Sequence, residues 1–147
     1  ISIARTNSKG HCKLSIQRAK PMSDETNLEG IFETVKIYFD GIYRSDVDLL
    51  RRIFHPLATV IGYGSDGELK TMTLEDFLGF VQTVPSPETT GADFDMSVLS
   101  VDRSGKAAAV KVHDYYIGRD FIDYLHLAET DSGWKITAKA FHSDARE

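Results

Sequence analysis

The 147-residue chain is 41% hydrophobic and 27% charged, an ordinary globular balance with material for a single core. Its longest apolar runs are only a few residues, far short of the roughly 20 that a membrane-spanning helix requires, and its one cysteine, Cys12, excludes an internal disulfide or a four-cysteine zinc site. The net charge is −5, but residues 1–22 hold five of the 17 basic residues and none of the 22 acids, leaving about −10 on the remainder; such an acidic body argues against nucleic acid as a partner. Sparse cysteine suits a reducing compartment, so a cytoplasmic location is expected.

Residues 1–22 therefore stand apart in composition. They read either as a targeting segment, rich in Arg and Ser and poor in acids, or as an over-long start with no role. They are expected to form an extension outside the core fold, with one domain over residues 23–147. In that domain Leu28, Ile31, Phe32, Val35, Phe39 and Ile42 recur at helical spacing, with Tyr38 beside the stripe. The spacing predicts a helix from about Leu28 to Tyr43, capped by Thr26 or Asn27. Ser45-Asp46 caps a second helix carrying Val47, Leu50, Ile53 and Phe54, which Pro56 ends. Ala58–Tyr63 and Glu68–Met72 flank Gly64-Ser65-Asp66-Gly67, a hairpin signal. Thr73 and Asp76 form a capping pair for a third helix with Leu74, Phe77, Leu78 and Val81 on one side. Pro85 and Pro87 close it, and Ser86–Gly91 reads as a loop. Four strand-like runs follow: Phe94–Val101, Lys106–Ile117, Phe121–Thr130 and Trp134–His142. The expected fold class is α+β, a curved antiparallel β-sheet wrapped as a cone-shaped roll around about three helices.

Register decides which side chains meet. A two-residue turn at Gly118-Arg119 pairs Tyr116 with Phe121, Asp114 with Asp123 and Val110 with Leu127. A two-residue turn at Ser132-Gly133 then pairs Leu125 with Ala140 and Asp123 with His142. A three-residue turn at Arg103–Gly105 adds Val98, Met96 and Phe94 to the same face. That face ends in a polar row of Asp114, Asp123 and His142 beside the small residues Ala138 and Ala140, and space next to converging polar groups makes a binding site. The other face collects Lys111, His113, Tyr115, Tyr124, His126, Lys139 and Phe141, either as a subunit interface or as a solvated surface.

In a dry site one of two facing carboxylates keeps its proton and acts as an acid while the other serves as a base. His142 beside Asp123 gains orientation and basicity. The alternative is that both acids sit at the wet rim. His55 either enters the cavity or caps the second helix's C-terminus. Tyr38 is either a core tyrosine with a satisfied hydroxyl or a polarising group. No histidine spacing matches a metal site, so neither metal nor cofactor is expected. Gly62, Gly64 and Gly67 read as hairpin glycines rather than a phosphate loop.

Residues 27–143 resemble the nuclear transport factor 2-like superfamily, which includes ketosteroid isomerases, scytalone dehydratase and SnoaL-like polyketide cyclases. The resemblance is carried by Tyr38, by Ser45-Asp46, by Leu50 and by Ile53 to Val60. Phe121 to Leu125, Gly133 to Ile136 and Lys139-Ala140-Phe141 carry it at the C-terminal end, which looks most like the branch named "putative lumazine-binding". It implies a cone-shaped fold, a pocket between sheet and helices and a homodimer packed through the sheet. Tyr38 matches the isomerases' oxyanion-hole tyrosine, whereas their general base falls on Gly62, which argues against steroid isomerisation by that mechanism. Their second pocket acid falls on His126 rather than Asp123, and a bulge would reconcile the two. The expected function is a small-molecule pocket protein, or a metal-independent acid–base enzyme of isomerase, dehydratase or cyclase type. Its catalytic residues would be Asp123, His142, Asp114, Tyr38 and His55. The alternative is a non-catalytic dimeric binding or assembly module.

Overall fold

In the computed structural model, the described residues are the backbone of 2–6 and 12–16 and all of 26–147. The expectation that 1–22 lie outside the core fold falls largely outside the described residues. Strands β1 (Ser2–Thr6) and β2 (Cys12–Ile16) pair antiparallel in a sheet of their own.

Helix α1 (Glu29–Arg44) buries Ile31, Val35, Tyr38, Phe39 and Ile42, while Phe32, expected in the stripe, is exposed. The Asn27 side chain accepts from Glu29 N at 3.4 Å. Ser45 ends α1 in the left-handed conformation at φ 52°. Asp46 then caps α2 (Val47–Ile53), its Oδ1 accepting from Asp48 N and Leu49 N at 3.1 Å. Strand β3 (Phe54–Tyr63) starts immediately, two residues before Pro56, and hairpins into β4 (Leu69–Thr73). Thr73 and Asp76 close a reciprocal capping box on α3 (Leu74–Thr83). Part of the expected loop is a single helical turn, α4 (Pro87–Thr90), because Ser86 caps it and proline occupies its first position. Strands β5 (Met96–Ser104), β6 (Ala107–Tyr116), β7 (Arg119–Thr130) and β8 (Gly133–Ala145) complete the chain.

The six-stranded sheet runs β4-β3-β8-β7-β6-β5, antiparallel except for the parallel β3–β8 pair. It curves without closing around the helices, and its bulges in β5 and β8 bend it. The core gathers the α1 stripe, Leu50, Phe54, Val60, Leu78, Val110, Val112, Leu125 and Ile136. No helix among the described residues is long and apolar enough to cross a membrane.

Three turns differ from the expected register. The β5–β6 turn is Gly105-Lys106 rather than Arg103–Gly105, and with the extra residue Leu99 it leaves Val98 opposite Val112 and Met96 opposite Asp114, an even net shift that keeps both on the expected face; Phe94 lies before β5. The β6–β7 turn is Ile117-Gly118, with φ of 47° and 76°, so Tyr116 pairs with Arg119 and Asp114 with Phe121. The shift is two residues, an even number, so every β6 and β7 side chain keeps its expected face. The β7–β8 turn is Asp131-Ser132, again an even shift. Past Ile136, however, the register changes: Leu127 pairs with Ile136 but His126 pairs with Ala138. Thr137 is the extra residue, its hydroxyl bonded to His126 O at 3.2 Å. Beyond it every β8 side chain is inverted relative to the expectation. Lys139, Phe141 and Ser143 turn inward, while Ala138, Ala140 and His142 turn outward.

Candidate functional site

A cavity of about 580 Å³ opens between α3, the β3–β4 hairpin and the inner face of β6, β7 and β8. Met72, Phe77, Phe80, Val84, Phe121 and Phe141 give it apolar walls. Gly62 lets β8 approach β3 closely. A Cβ there would stand 2.3 Å from Phe141 O and 2.5 Å from its ring, so the position the isomerases use for their base cannot carry a side chain in this backbone.

The cavity floor is polar. Lys139 and Asp114 line it, and Tyr38 and Asp123 lie directly behind. The Tyr38 hydroxyl donates to Asp123 Oδ2 at 2.5 Å. Lys139 Nζ donates to that same hydroxyl at 2.8 Å and stands 3.4 Å from Asp123 Oδ2. The ammonium also sits over three rings, 4.8 Å from Phe77, 5.3 Å from Tyr38 and 5.5 Å from Phe141. Exposure is 0% for Tyr38 and Asp123, 2% for Asp114 and 6% for Lys139. At such depth a charge persists only when it is paired, and Lys139 is the partner of Asp123.

Asp114 is diagonal to Asp123 across β6–β7 rather than opposite it. Burial holds its carboxyl well above the usual range, helped by the nearby Asp123 charge, against a smaller opposing pull from Lys139. Burial therefore favours the proton on Asp114, since Asp123 is the carboxylate that Tyr38 and Lys139 meet. Burial, reinforced by Asp123, likewise keeps Tyr38 a neutral donor. Asp114 Oδ2 and Asp123 Oδ1 are buried without a partner among the described residues. Tyr116, also on the cavity wall, is pushed up to about 12, mainly by burial.

Of the five residues expected at the site, Asp114, Asp123 and Tyr38 converge. His142 does not: its side chain is 61% exposed and its Nε2 lies 3.2 Å from Asp144 on the outer face. The Thr137 bulge turned it out. His55 also stays outside the cavity, its Nδ1 accepting from Leu57 N at 3.1 Å where α2 gives way to β3. Lys139 stands where His142 is expected, and Lys139 and Phe141 lie on the inner face rather than the outer one. A signal for this exists in the sequence. Trp134 and Ile136 share one strand phase and Phe141 the other, so the apolar alternation changes phase between them.

A second cluster lies on the outer face. His113 Nε2 is 2.8 Å from Asp120 Oδ1, and Arg146 Nη2 reaches Asp120 at 2.5 Å and Asp95 at 2.6 Å. The Arg146 guanidinium stacks 3.9 Å from the Tyr115 ring. Asp95, His113 and Asp120 present ligand atoms within 4.8 Å of one another, but Arg146 already supplies the positive charge between the two acids. Hydrogen bonds from Arg146 and His113 hold the Asp120 carboxyl down at about 2.

A curved open sheet enclosing helices, with a polar-floored cavity at one end, is the architecture of nuclear transport factor 2-like proteins. The solved structures agree. An NTF2-like protein of unknown function from Shewanella baltica OS155 is 22% identical, with a TM-score of 0.71 over 86% of this chain and 100% of that one. Another from Silicibacter pomeroyi DSS-3 is 23% identical, with a TM-score of 0.69 over 84% and 100%. A ketosteroid isomerase-like protein from Erwinia carotovora atroseptica SCRI1043 is 12% identical, with a TM-score of 0.59 over 82% and 98%. Within this class the chain belongs to the family described as "Putative lumazine-binding", whose model matches residues 26–142. It is also 29% identical over 119 residues to the chaperone protein HscA homolog of Shewanella frigidimarina, a match spanning 75% of this chain and only 17% of that protein.

Proposed function

We propose that this protein holds a small, flat and largely apolar molecule in the cavity between α3 and the sheet. The observation that carries the reading is the polar floor. A buried Lys–Tyr–Asp cluster adds little stability over well-packed apolar side chains, yet it stands at the base of the one apolar-walled cavity it adjoins. Lys139 offers an N–H to a ligand oxygen, and protonated Asp114 offers an O–H beside it. Lumazine, named in the family description, is a flat bicyclic molecule whose carbonyl and N–H edge suits such a floor.

If the bound molecule reacts, the chemistry is acid–base without a metal: isomerisation, dehydration or cyclisation. Asp114 would transfer the proton, Lys139 would polarise a substrate oxygen, and Tyr38 with Asp123 would hold Lys139 in place. The non-catalytic reading shares the pocket and lacks only turnover. A homodimer through the outer sheet face belongs to both readings. Its support is the exposed Tyr124 and Leu99, with the small Ala138 and Ala140 between flanking strands.

Lumazine titrated into the protein and followed by calorimetry tests the proposal. Saturable binding that Asp114→Asn or Lys139→Arg weakens about tenfold, equivalent to about 1.4 kcal/mol, would support it. A panel of flat heterocycles including lumazine that neither binds nor raises the melting temperature would overturn it.

A further inference from the structure

The charges around the cavity differ in one respect. Lys139 has Asp123 at 3.4 Å, and Lys70 has Asp66 at 2.8 Å. Arg119, the remaining cation of the lining, has no carboxylate within 4.0 Å among the described residues. Both of its bonds go to neutral groups of Ser143: Nε donates to Oγ at 2.9 Å and Nη2 to the backbone oxygen at 3.0 Å.

Those two bonds have a consequence for geometry. They use the side-on edge of the guanidinium and lock its plane against β8. The end-on edge, formed by Nη1 and the second Nη2 proton, keeps two parallel N–H groups without a partner among the described residues. Arg119 shares strand phase with Phe121 and Asp123, so it belongs to the inner face. Its same-face neighbours on the lining are Tyr116, opposite it on β6, and Phe121, two residues along β7, and neither is a counter-ion. A half-buried guanidinium in that setting is an incomplete ion pair, and a planar carboxylate is the group whose two oxygens match its free edge.

We propose that the cavity takes an apolar or aromatic carboxylic acid as its monoanion, with the carboxylate on the end-on edge of Arg119 and the apolar body against Phe77, Phe121 and Phe141. The inference rests on the cavity being a ligand site and narrows the ligand to one charge type. The floor and the mouth then divide the work. Lys139 and Asp114 meet a neutral polar atom, since Lys139 is already neutralised by Asp123. Arg119 meets the charge. Ser143 is the positioning residue for Arg119, because it alone occupies the side-on edge.

The test compares 2-naphthoate with 2-naphthamide, which share body and shape and differ in charge. Both are titrated calorimetrically into the wild-type chain, Arg119→Met and Arg119→Lys. The wild type should bind naphthoate at least tenfold more tightly than naphthamide. Arg119→Met should abolish that preference, bringing naphthoate affinity down to that of naphthamide, and Arg119→Lys should retain part of it. If Arg119→Met does not fold, the wild type still decides. Its naphthoate affinity should fall as salt rises from 50 to 500 mM while its naphthamide affinity stays level. Equal affinity for the two ligands at low salt would overturn the carboxylate assignment and leave the pocket reading intact. Binding of neither ligand would overturn both.

Discussion

The cavity floor and the outer-face cluster are built from nearly the same parts: two aspartates, a cation and a tyrosine, drawn from β6, β7 and β8 except for Tyr38 of α1 and for Asp95 and Arg146, which lie just before β5 and just after β8. Asp114 and His113 are consecutive residues of β6, and one step along a strand sends them to opposite faces. The results are opposite too. Asp114 is held well above the carboxylate range by burial, whereas Asp120 is held at about 2 by its hydrogen bonds to Arg146 and His113. Water makes the difference. In contact with solvent, a carboxylate with two donors is favoured as the anion. Sealed beside a second carboxylate, it keeps its proton.

The contrast can be broken most forcefully at Lys139. Lys139→Met leaves Asp123 buried without a counter-ion and should cost about 3–5 kcal/mol in urea unfolding at neutral pH. Adding Asp123→Asn should recover much of that loss. A single variant as stable as the wild type would mean that the floor is not an ion pair at all. Next in size is Tyr38→Phe, which removes a donor from Asp123 and an acceptor from Lys139. Its expected cost is about 1.5–3 kcal/mol, the range for hydrogen bonds to charged groups, read from the same unfolding curves.

Asp114→Asn should sharpen the comparison through pH. A carboxyl raised in the folded state binds more protons there than in the unfolded chain. Its ionisation therefore erodes stability as pH climbs from the unfolded value of about 4 through the raised native one. The asparagine variant should melt higher than the wild type at pH 8, and the gap should close toward pH 4; a gap independent of pH would remove the assignment of the proton to Asp114. The smallest effect is expected at the outer-face cluster. Asp120→Asn should lower the melting temperature at pH 7 by less than the changes at the floor, because solvent reaches this half-buried cluster and screens its ion pairs. Its contribution has the opposite sign with pH: present above about 4, and lost as pH falls toward the folded value of about 2. A large loss at pH 7 would show that Arg146 is holding more than a surface ion pair.

Much of the architecture was legible from local chemistry. The Asp46 cap, the Thr73–Asp76 box, the hairpin glycines and the stripe through Tyr38 each depend on residues a few positions apart, and each is found where the spacing puts it. The inward phase of Asp114 and Asp123 survived two misplaced turns because both slips were even. The site itself was half legible. Asp114, Asp123 and Tyr38 come together, but His142 and Lys139 exchanged faces at Thr137, and His55 bonds its own backbone instead of entering the cavity.

The order of the main elements, the faces of α1 and of β6 and β7, and the shared face of Asp114 and Asp123 follow from periodicities of 3.6 and 2 that the chain carries in itself, whereas the burial of that pair does not. The identity of the cation on the cavity floor does not. One extra residue in β8 leaves composition and strand propensity unchanged but inverts every side chain beyond it. Whether that residue is accommodated depends on the partner strands, β3 and β7, against which β8 must pair. The sequence could therefore name the acids of this cavity, and only the packed sheet could choose between His142 and Lys139 as their companion.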